Sequence, residues 1–160
     1  MTQDVNAYLT FSVGQNIFGV HVEKVIEIKE YEKPKAIPES MAYMIGVTDH
    51  RDQIIPVIDA ASKFNLGKIE VTPQSCIVVL EIEKADGSGS MGIGILVDSV
   101  SDVFEAESTK LKEIETEFKP GYILASYQNN EELVMILNAD KVFSETDIIS
   151  ITEIIEAVKN

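Results

Sequence analysis

Two histidines, one cysteine and a single arginine limit the chemistry this chain can offer. His50 stands in Asp49-His50-Arg51-Asp52, a polar cluster between apolar runs. Asp49, His50 and Asp52 carry metal-binding atoms, but neighbours in one turn rarely converge on one ion. No second cluster completes a four-ligand set, so no metal is expected. His21 occupies a position where an internal repeat has Leu96, and a site matched by leucine is read as structural. No Gly-x-Ser-x-Gly nucleophile motif occurs. Gly87-Ser88-Gly89 lacks the lysine and the helix of a phosphate loop. Met91-Gly92-Ile93-Gly94 resembles the start of a dinucleotide fingerprint but falls inside an expected hairpin strand. The acids are abundant and scattered, so no general acid–base pair can be named. Neither a catalytic residue nor a cofactor is expected. What remains is recognition. The planar fork of Arg51 suits bidentate contact with a carboxylate, and arginine is enriched at interface hot spots. The alternative is a solvated turn residue.

The elements that position Arg51 come in two related sets. Phe18-Gly19-Val20-His21-Val22-Glu23-Lys24-Val25-Ile26-Glu27-Ile28 returns about 75 positions later as Ile93-Gly94-Ile95-Leu96-Val97-Asp98-Ser99-Val100-Ser101-Asp102-Val103. Ala7–Val13 precedes the first copy as Cys76–Ile82 precedes the second. Gln53–Asp59, ending near Phe64, follows the first, and Glu132–Asn138, ending near Phe143, follows the second. Two related halves imply two similar lobes with a seam where ligands or partners sit.

Strand signals dominate both halves. Tyr8–Val13 and Ile17–Val22 flank a turn at Gly14-Gln15-Asn16. Glu23–Lys29 fits either helical turns or a continued strand. Pro34 and Pro38 bracket an extended Lys35-Ala36-Ile37, and Ser40–Ile45 is read as a helical turn. Ile54–Ile58 is a strand in which Pro56 demands an edge or a bulge, and Ala60–Phe64 a short helix. Ser75–Glu83 and Met91–Val97 form a hairpin across Lys84–Ser90. A strand follows around Val100–Phe104, and Glu105–Lys119 is charged and superficial. Tyr122–Tyr127 and Glu131–Leu137 form the last hairpin. Ser144 caps a final amphipathic helix, with Asp147 at its third position, Phe143 stapled on Ile148, and Ile148, Ile151, Ile155 and Val158 on one face. The chain is thus read as one domain, 1–160: a first lobe over about 7–70, a second over about 71–143, the two sharing a core or exchanging strands, and a helix at 144–159. Paired small β-barrels are the expected fold, each too small to stand alone.

The net charge of −14 argues against phosphate-rich partners, and so against nucleic acid and an anionic membrane surface. No apolar stretch approaches the roughly 20 residues of a membrane helix. Lone Cys76 allows no internal disulfide and reads as a buried hydrophobe. With no leader-like start, a reducing cytoplasm is expected.

Gly46-Val47-Thr48-Asp49-His50-Arg51-Asp52-Gln53-Ile54-Ile55-Pro56-Val57-Ile58-Asp59, with Phe64 beyond, resembles the signature of the CheW-like chemotaxis coupling proteins. The Gly19–Ile28 block, the Gly94–Val103 block and the last hairpin follow in that family's order, so the likeness runs from about Ala7 to Phe143. It implies two five-stranded, SH3-like β-barrels related by pseudo-two-fold symmetry. It also implies a cytoplasmic, non-enzymatic adaptor, recruited to membrane-associated arrays. There it would couple the cytoplasmic tips of methyl-accepting chemoreceptors to the regulatory domain of the histidine kinase CheA. Arg51 then matches the arginine of receptor coupling and Glu27 the acid that pairs with it. Val25, Gly94, Val100 and Val103 match positions lining or supporting the receptor groove, and Cys76 a position near it; the valines fit a plain core as well. The family usually has Asn-Leu-Arg-Gly where this chain has Asp49-His50-Arg51-Asp52, and a glycine where it has Ala125. These departures bear on receptor coupling. A scaffold in an accessory kinase pathway is the nearest alternative. A small metal-dependent enzyme using the cleft between the lobes is the more distant one.

Overall fold

The computed structural model describes residues 5–38, 41–84, 86–113 and 121–159. The first strands are β1 (Val5–Val13), β2 (Asn16–His21), β3 (Val25–Glu30), β4 (Met44–His50) and β5 (Gln53–Asp59), followed by helix α1 (Ala60–Lys63). The chain continues with β6 (Cys76–Glu83), β7 (Ser90–Val97), β8 (Ser99–Glu107), β9 (Lys112–Glu113), β10 (Ile123–Asn129) and β11 (Glu132–Leu137). Helices α2 (Ala139–Val142) and α3 (Glu145–Lys159) close it. The ambiguous stretch after His21 divides into a 3₁₀ turn, Val22–Lys24, and then β3. The turn forms because His21 Nδ1 accepts the Glu23 N–H at 3.1 Å; Nε2 then carries the proton toward Asn6 Oδ1, 3.2 Å away. His21 therefore has a structural role, as its leucine counterpart suggested, and that role is capping, which a leucine could not perform.

The strands form two sheets, ordered β8-β1-β2-β11-β10-β9 and β3-β6-β7-β5-β4. Each draws on both halves of the sequence. Matching β1 with β6, β2 with β7, β3 with β8, β4 with β10 and β5 with β11 turns the second order into the first five places of the other. The pairing senses match too: β2·β11 and β7·β5 are parallel, the other equivalent pairs antiparallel. Even the irregularities repeat. Edge strands β3 and β8 each carry one extra residue, between Val25 and Glu27 and between Val100 and Val103. At the β8 bulge the Thr10 hydroxyl donates to the Asp102 carbonyl at 2.8 Å and accepts the Asp102 N–H at 3.2 Å, replacing lost ladder bonds.

The molecule is mainly β, with short helices and one longer one, as expected. The sheets differ in size, six strands and five, and both ladders are open. In the larger, the chain leaves β8 at one edge, turns through Ser108–Lys110 and rejoins at the opposite edge as β9. In the smaller, the segment after β3 meets β4 at one bridge, where Lys35 and Val47 exchange N–H···O bonds of 2.8 and 2.9 Å.

Two expectations are corrected. Met44 and Ile45 belong to β4, not to a helical turn, because Met44 pairs with Ile58. Pro56 lies in an interior strand without a bulge of its own. Val47 opposite it spends its N–H and C=O on Lys35, and the parallel ladder with β7 starts one residue later, at Val57. The missing proline N–H is therefore not called upon.

A main core, with Phe11, Val57, Ile58, Val78, Val79 and Ile93 at its centre, joins the sheets. Phe18, Phe64 and Tyr122 stack through it with centroids 5.0 and 5.1 Å apart. A second cluster of Tyr8, Ala106, Tyr127, Val134 and Ile136 fills the larger sheet. Helix α3 buries Ile148, Ile151 and Ile155 in the main core. Its start is the expected capping box: the Ser144 hydroxyl accepts the Asp147 N–H, and the Asp147 carboxylate accepts the Ser144 N–H, both at 3.1 Å.

Asp147 also anchors the helix through charge. Burial alone would favour its neutral form. The adjacent Tyr43 hydroxyl, the Ser144 N–H and the Lys63 ammonium at 3.7 Å outweigh that and hold its carboxyl below the usual range. Burial, and then the neighbouring Asp147, push the Tyr43 hydroxyl well above its usual range, although the two groups fall short of standard hydrogen-bond geometry. A depressed carboxyl stabilises the fold above its ordinary pKa, and that contribution fades as pH falls through the folded value. Asp147→Asn is expected to cost about 1 kcal/mol at neutral pH, the usual worth of a helix cap. Its denaturation midpoint should also change less than the parent's below about pH 4, checked by urea melts across the acid range.

Candidate functional site

Arg51 sits at the tip of the β4–β5 hairpin, and the pairing of His50 with Gln53 leaves a two-residue turn. Both turn residues have positive φ, 49° for Arg51 and 66° for Asp52. This is the signature of a type I′ turn, which twists as the strands do and normally recruits Asn-Gly. The missing family glycine therefore leaves the turn type intact and is tolerated as backbone strain. Asp52→Gly is expected to raise stability by about 0.5–1 kcal/mol, read as a melting temperature about 2–3 °C higher.

The turn holds Arg51 exposed, and among the described residues it makes no ion pair. The expected pairing of Glu27 with Arg51 is not what the structure holds. The Glu27 carboxylate lies against Nδ1 of His50, whose side chain is only 10% exposed. Oε2 of Glu27 is buried and has no hydrogen bond of standard geometry among the described residues. Two residues on, Lys29 Nζ donates to the Asp49 carbonyl at 3.1 Å. These contacts tie the two edges of the smaller sheet, β3 and β4, through side chains where no ladder joins them.

The other expected site residues divide between the sheets. Val25 opens β3 opposite Leu80 and is half-buried against the main core. Cys76 lies at the far end of the same ladder, opposite Glu30 and about 17 Å along the strands from Val25. It is half-buried, not fully inside, with Sγ 3.4 Å from the Gln74 carbonyl. Gly94 is interior to β7, where an added Cβ would stand 2.8 Å from a methyl of Ile77, so its small size serves sheet packing. Val100 and Val103 belong to β8 of the larger sheet; Val100 is half-buried on the main core and Val103 is 54% exposed. The structure brings Glu27 to the Arg51 hairpin through His50, and places Val103 on the other sheet and Cys76 at the far end of the β3–β6 ladder.

Three residues escaped the sequence reading. His50 was weighed only as a metal ligand. Ile26 and Ile28 alternate with half-buried Glu27 and Lys29 on β3 and are 47% and 44% exposed. Ile28 is the repeat counterpart of Val103, so each sheet presents one exposed aliphatic residue at the same place on an edge strand. The repeat alignment carried that signal. Edge strands are usually blunted by charge, so an exposed aliphatic at the equivalent edge position of each sheet stands out.

Among the described residues no cluster of histidine, cysteine or acids could hold a metal ion, and no helix is long and apolar enough to cross a membrane.

Comparison with known proteins agrees with this geometry. The family model described as "CheW-like domain" matches residues 7–147. The probable chemotaxis protein CheW of Rhizobium etli is 25% identical over 150 residues, covering 92% of this chain and 93% of its own. The chemotaxis protein CheW of Klebsiella aerogenes is 25% identical over 143 residues, covering 88% and 82%. In fold, the crystal structure of the scaffolding protein TtCheW from Thermoanaerobacter tengcongensis superposes with a TM-score of 0.76 at 23% identity, covering 87% of this chain and 92% of that one. A match over nearly all of both sheets, with the internal repeat intact, places this chain in the CheW-like domain family, the non-enzymatic adaptors and scaffolds of chemotaxis signalling.

Proposed function

We propose that this chain couples the cytoplasmic tips of methyl-accepting chemoreceptors to the regulatory domain of the histidine kinase CheA, working in the cytoplasm at membrane-associated receptor arrays. The two strand-exchanged sheets act as two SH3-like barrels, each closed by the segment that follows its edge strand, and the lobes meet along the main core. Arg51 meets a carboxylate of the receptor. Glu27 acts on the arginine's surroundings, and Val25, Val100 and Val103 supply apolar contact. Gly94 supports that surface from within the smaller sheet, and Cys76, at the far end of the β3–β6 ladder, stands outside it.

The observation that carries this reading is the Arg51 hairpin. A guanidinium with no ion pair among the described residues is presented by a strained two-residue turn, in a chain of net charge −14 where no other arginine exists. Holding a residue in a sparsely populated backbone region costs about 1–3 kcal/mol and persists where it serves a site. The contact energies suit a linked array. Burying three valines contributes about 1.5 kcal/mol each, and one charge-assisted arginine contact about 1.5–3 kcal/mol. That sum falls short of the roughly 8 kcal/mol net that a micromolar complex requires, so assembly draws on many linked contacts.

Calorimetric titration of the chain with a soluble receptor-tip fragment, and separately with the kinase regulatory domain, tests the assignment. Weak to moderate saturable binding to both is expected. Binding to neither would remove the coupling role, and binding to the kinase domain alone would favour a scaffold of an accessory kinase pathway.

A further inference from the structure

Helix α3 stands outside the internal repeat: α2 leads into it, whereas the counterpart α1 leads into an irregular segment before β6. Its inner face is accounted for by Ile148, Ile151 and Ile155 in the main core. Its outer face carries Ile149, which is 52% exposed and lines a cavity of about 360 Å³ between α3 and the β6–β7 turn. A lone exposed aliphatic is ordinary, but one beside an open groove marks a place for another chain. The one hydroxyl among the lining residues, that of Thr152, donates to the Ile148 carbonyl at 2.7 Å, so it asks for no polar ligand.

The rim of the groove is acidic. Glu145 and Glu153 line it one helical turn to either side of Ile149, and the three span about 12 Å along α3. Asp86 joins them from the β6–β7 turn, its carboxylate held by the Ser88 N–H at 2.9 Å. Among the described residues, Glu145 and Glu153 make no ion pair, and Lys84 is the only cation lining the cavity. Three carboxylates thus face one ammonium around an apolar centre.

We propose that this groove docks a basic amphipathic helix of a partner protein, one that presents an aliphatic side chain with a lysine or arginine one turn to each side. The aliphatic residue packs beside Ile149, and the two cations meet Glu145 and Glu153. Charge selects that occupant. A second copy of this chain has net charge −14, and its longest described helix carries Glu145, Asp147, Glu153 and Glu156 against Lys159, so self-docking would set like charges together. Nucleic acid and anionic lipid are repelled by the same carboxylates. None of the lining residues is among those expected at the receptor contact, so the inference goes beyond the coupling reading and does not depend on it.

The test uses the full chain and a synthetic helical peptide of about 18 residues, with leucines along one face and lysines flanking them. Amide shifts in NMR locate the contact, and calorimetry gives its strength. One control peptide is a scramble of the same composition, and the other has glutamates in place of the lysines. Saturable binding is expected, with shifts concentrated in α3 and the β6–β7 turn, at least about fivefold weaker for the scramble and absent for the acidic peptide. Ile149→Ser and Glu153→Lys should each weaken binding at least about fivefold, whereas Ile149→Leu and Glu113→Lys, a charge reversal on β9 of the other sheet, should stay within about twofold. Ile149, Glu153 and Glu113 are exposed, so the variants should melt with the parent. If Ile149→Ser melts early, Ile149→Gln takes its place. No saturable binding, shifts elsewhere on the molecule, or equal binding of either control peptide overturns the proposal. Equal weakening by Glu113→Lys also overturns it, because net charge alone would then explain the binding. A concentration-dependent dimer in sedimentation that Ile149→Ser abolishes would overturn it too, by making a second copy the occupant. The receptor and kinase titrations are separate measurements, and the coupling reading stands or falls on those alone.

Discussion

Gly46→Val lowers the melting temperature by about 10 °C, the largest stability loss expected of any single substitution considered for this chain. A Cβ at Gly46 would stand 2.2 Å from the Lys35 carbonyl oxygen and 2.7 Å from its carbon. Both are backbone atoms, so no side-chain rotation relieves the clash. The segment carrying Lys35 must move away, and the two bonds it exchanges with Val47 are lost. Those bonds contribute about 1 kcal/mol each, and overpacking a tight site costs about 1–3 kcal/mol. Together they give about 3–5 kcal/mol, and each kcal/mol moves the midpoint by about 2–4 °C at this chain length. The internal repeat supplies a control. Ala125 is the counterpart of Gly46, and its Cβ is accommodated where β10 meets β9. Ala125→Gly should therefore cost no more than about 1 kcal/mol. Differential scanning of both variants checks the pair, and equal shifts would show that the Lys35 contact does not govern this site.

Arg51→Glu is expected to reduce receptor-tip binding by at least about 50-fold while the melting temperature stays within about 2 °C of the parent. The side chain is exposed and bonded to nothing described, so the fold loses little. The complex loses a charge-assisted contact and gains a like-charge repulsion against the partner's carboxylate, which costs several kcal/mol when water is excluded. Arg51→Ala removes only the attraction and should fall between parent and Glu. The formal charge also moves from −14 to −16, since one positive charge is lost and one negative gained. Binding by titration at two salt concentrations checks this. A loss that vanishes at high salt would place Arg51 at the rim of the contact, steering encounters without being buried.

Much of the fold was legible because the repeat and the period-two alternation are physical constraints, not composition. Tyr8–Val13 and Ser75–Glu83 read as strands, and both form interior strands of their sheets. The capping box at Ser144 and Asp147 fixed where α3 begins. Pro56 misled because a missing N–H matters only where the ladder asks for one, and that depends on where Val47 sends its own bonds. Ser40–Ile45 misled because a short apolar run carries no period of its own, and pairing with β5 decided it. Of Glu105–Lys119, read as charged surface, Glu105–Glu107 extend β8 with Ala106 fully buried and Lys112–Glu113 form β9; 114–119 lie outside the described residues, as does Ser40. At the candidate site, Arg51 was legible as the only arginine and through its family signature. The Glu27–His50 contact was not, because β3 and β4 stand at opposite edges of one sheet and meet only when the sheet curls. The exposure of Ile28 was hidden for the same reason: sequence alternation says that a residue changes face, not which face is covered.

Under the proposed function, one molecule of this chain engages receptor and kinase together through protein surfaces, with Arg51 in the receptor contact. Co-sedimentation with receptor-tip assemblies and the CheA regulatory domain measures that directly. The expected result is that the parent chain carries the kinase domain into the pellet with the receptor, and that Arg51→Glu leaves both chain and kinase domain in the supernatant. Kinase domain that pellets equally with and without this chain, or that follows Arg51→Glu as it does the parent, would contradict the account.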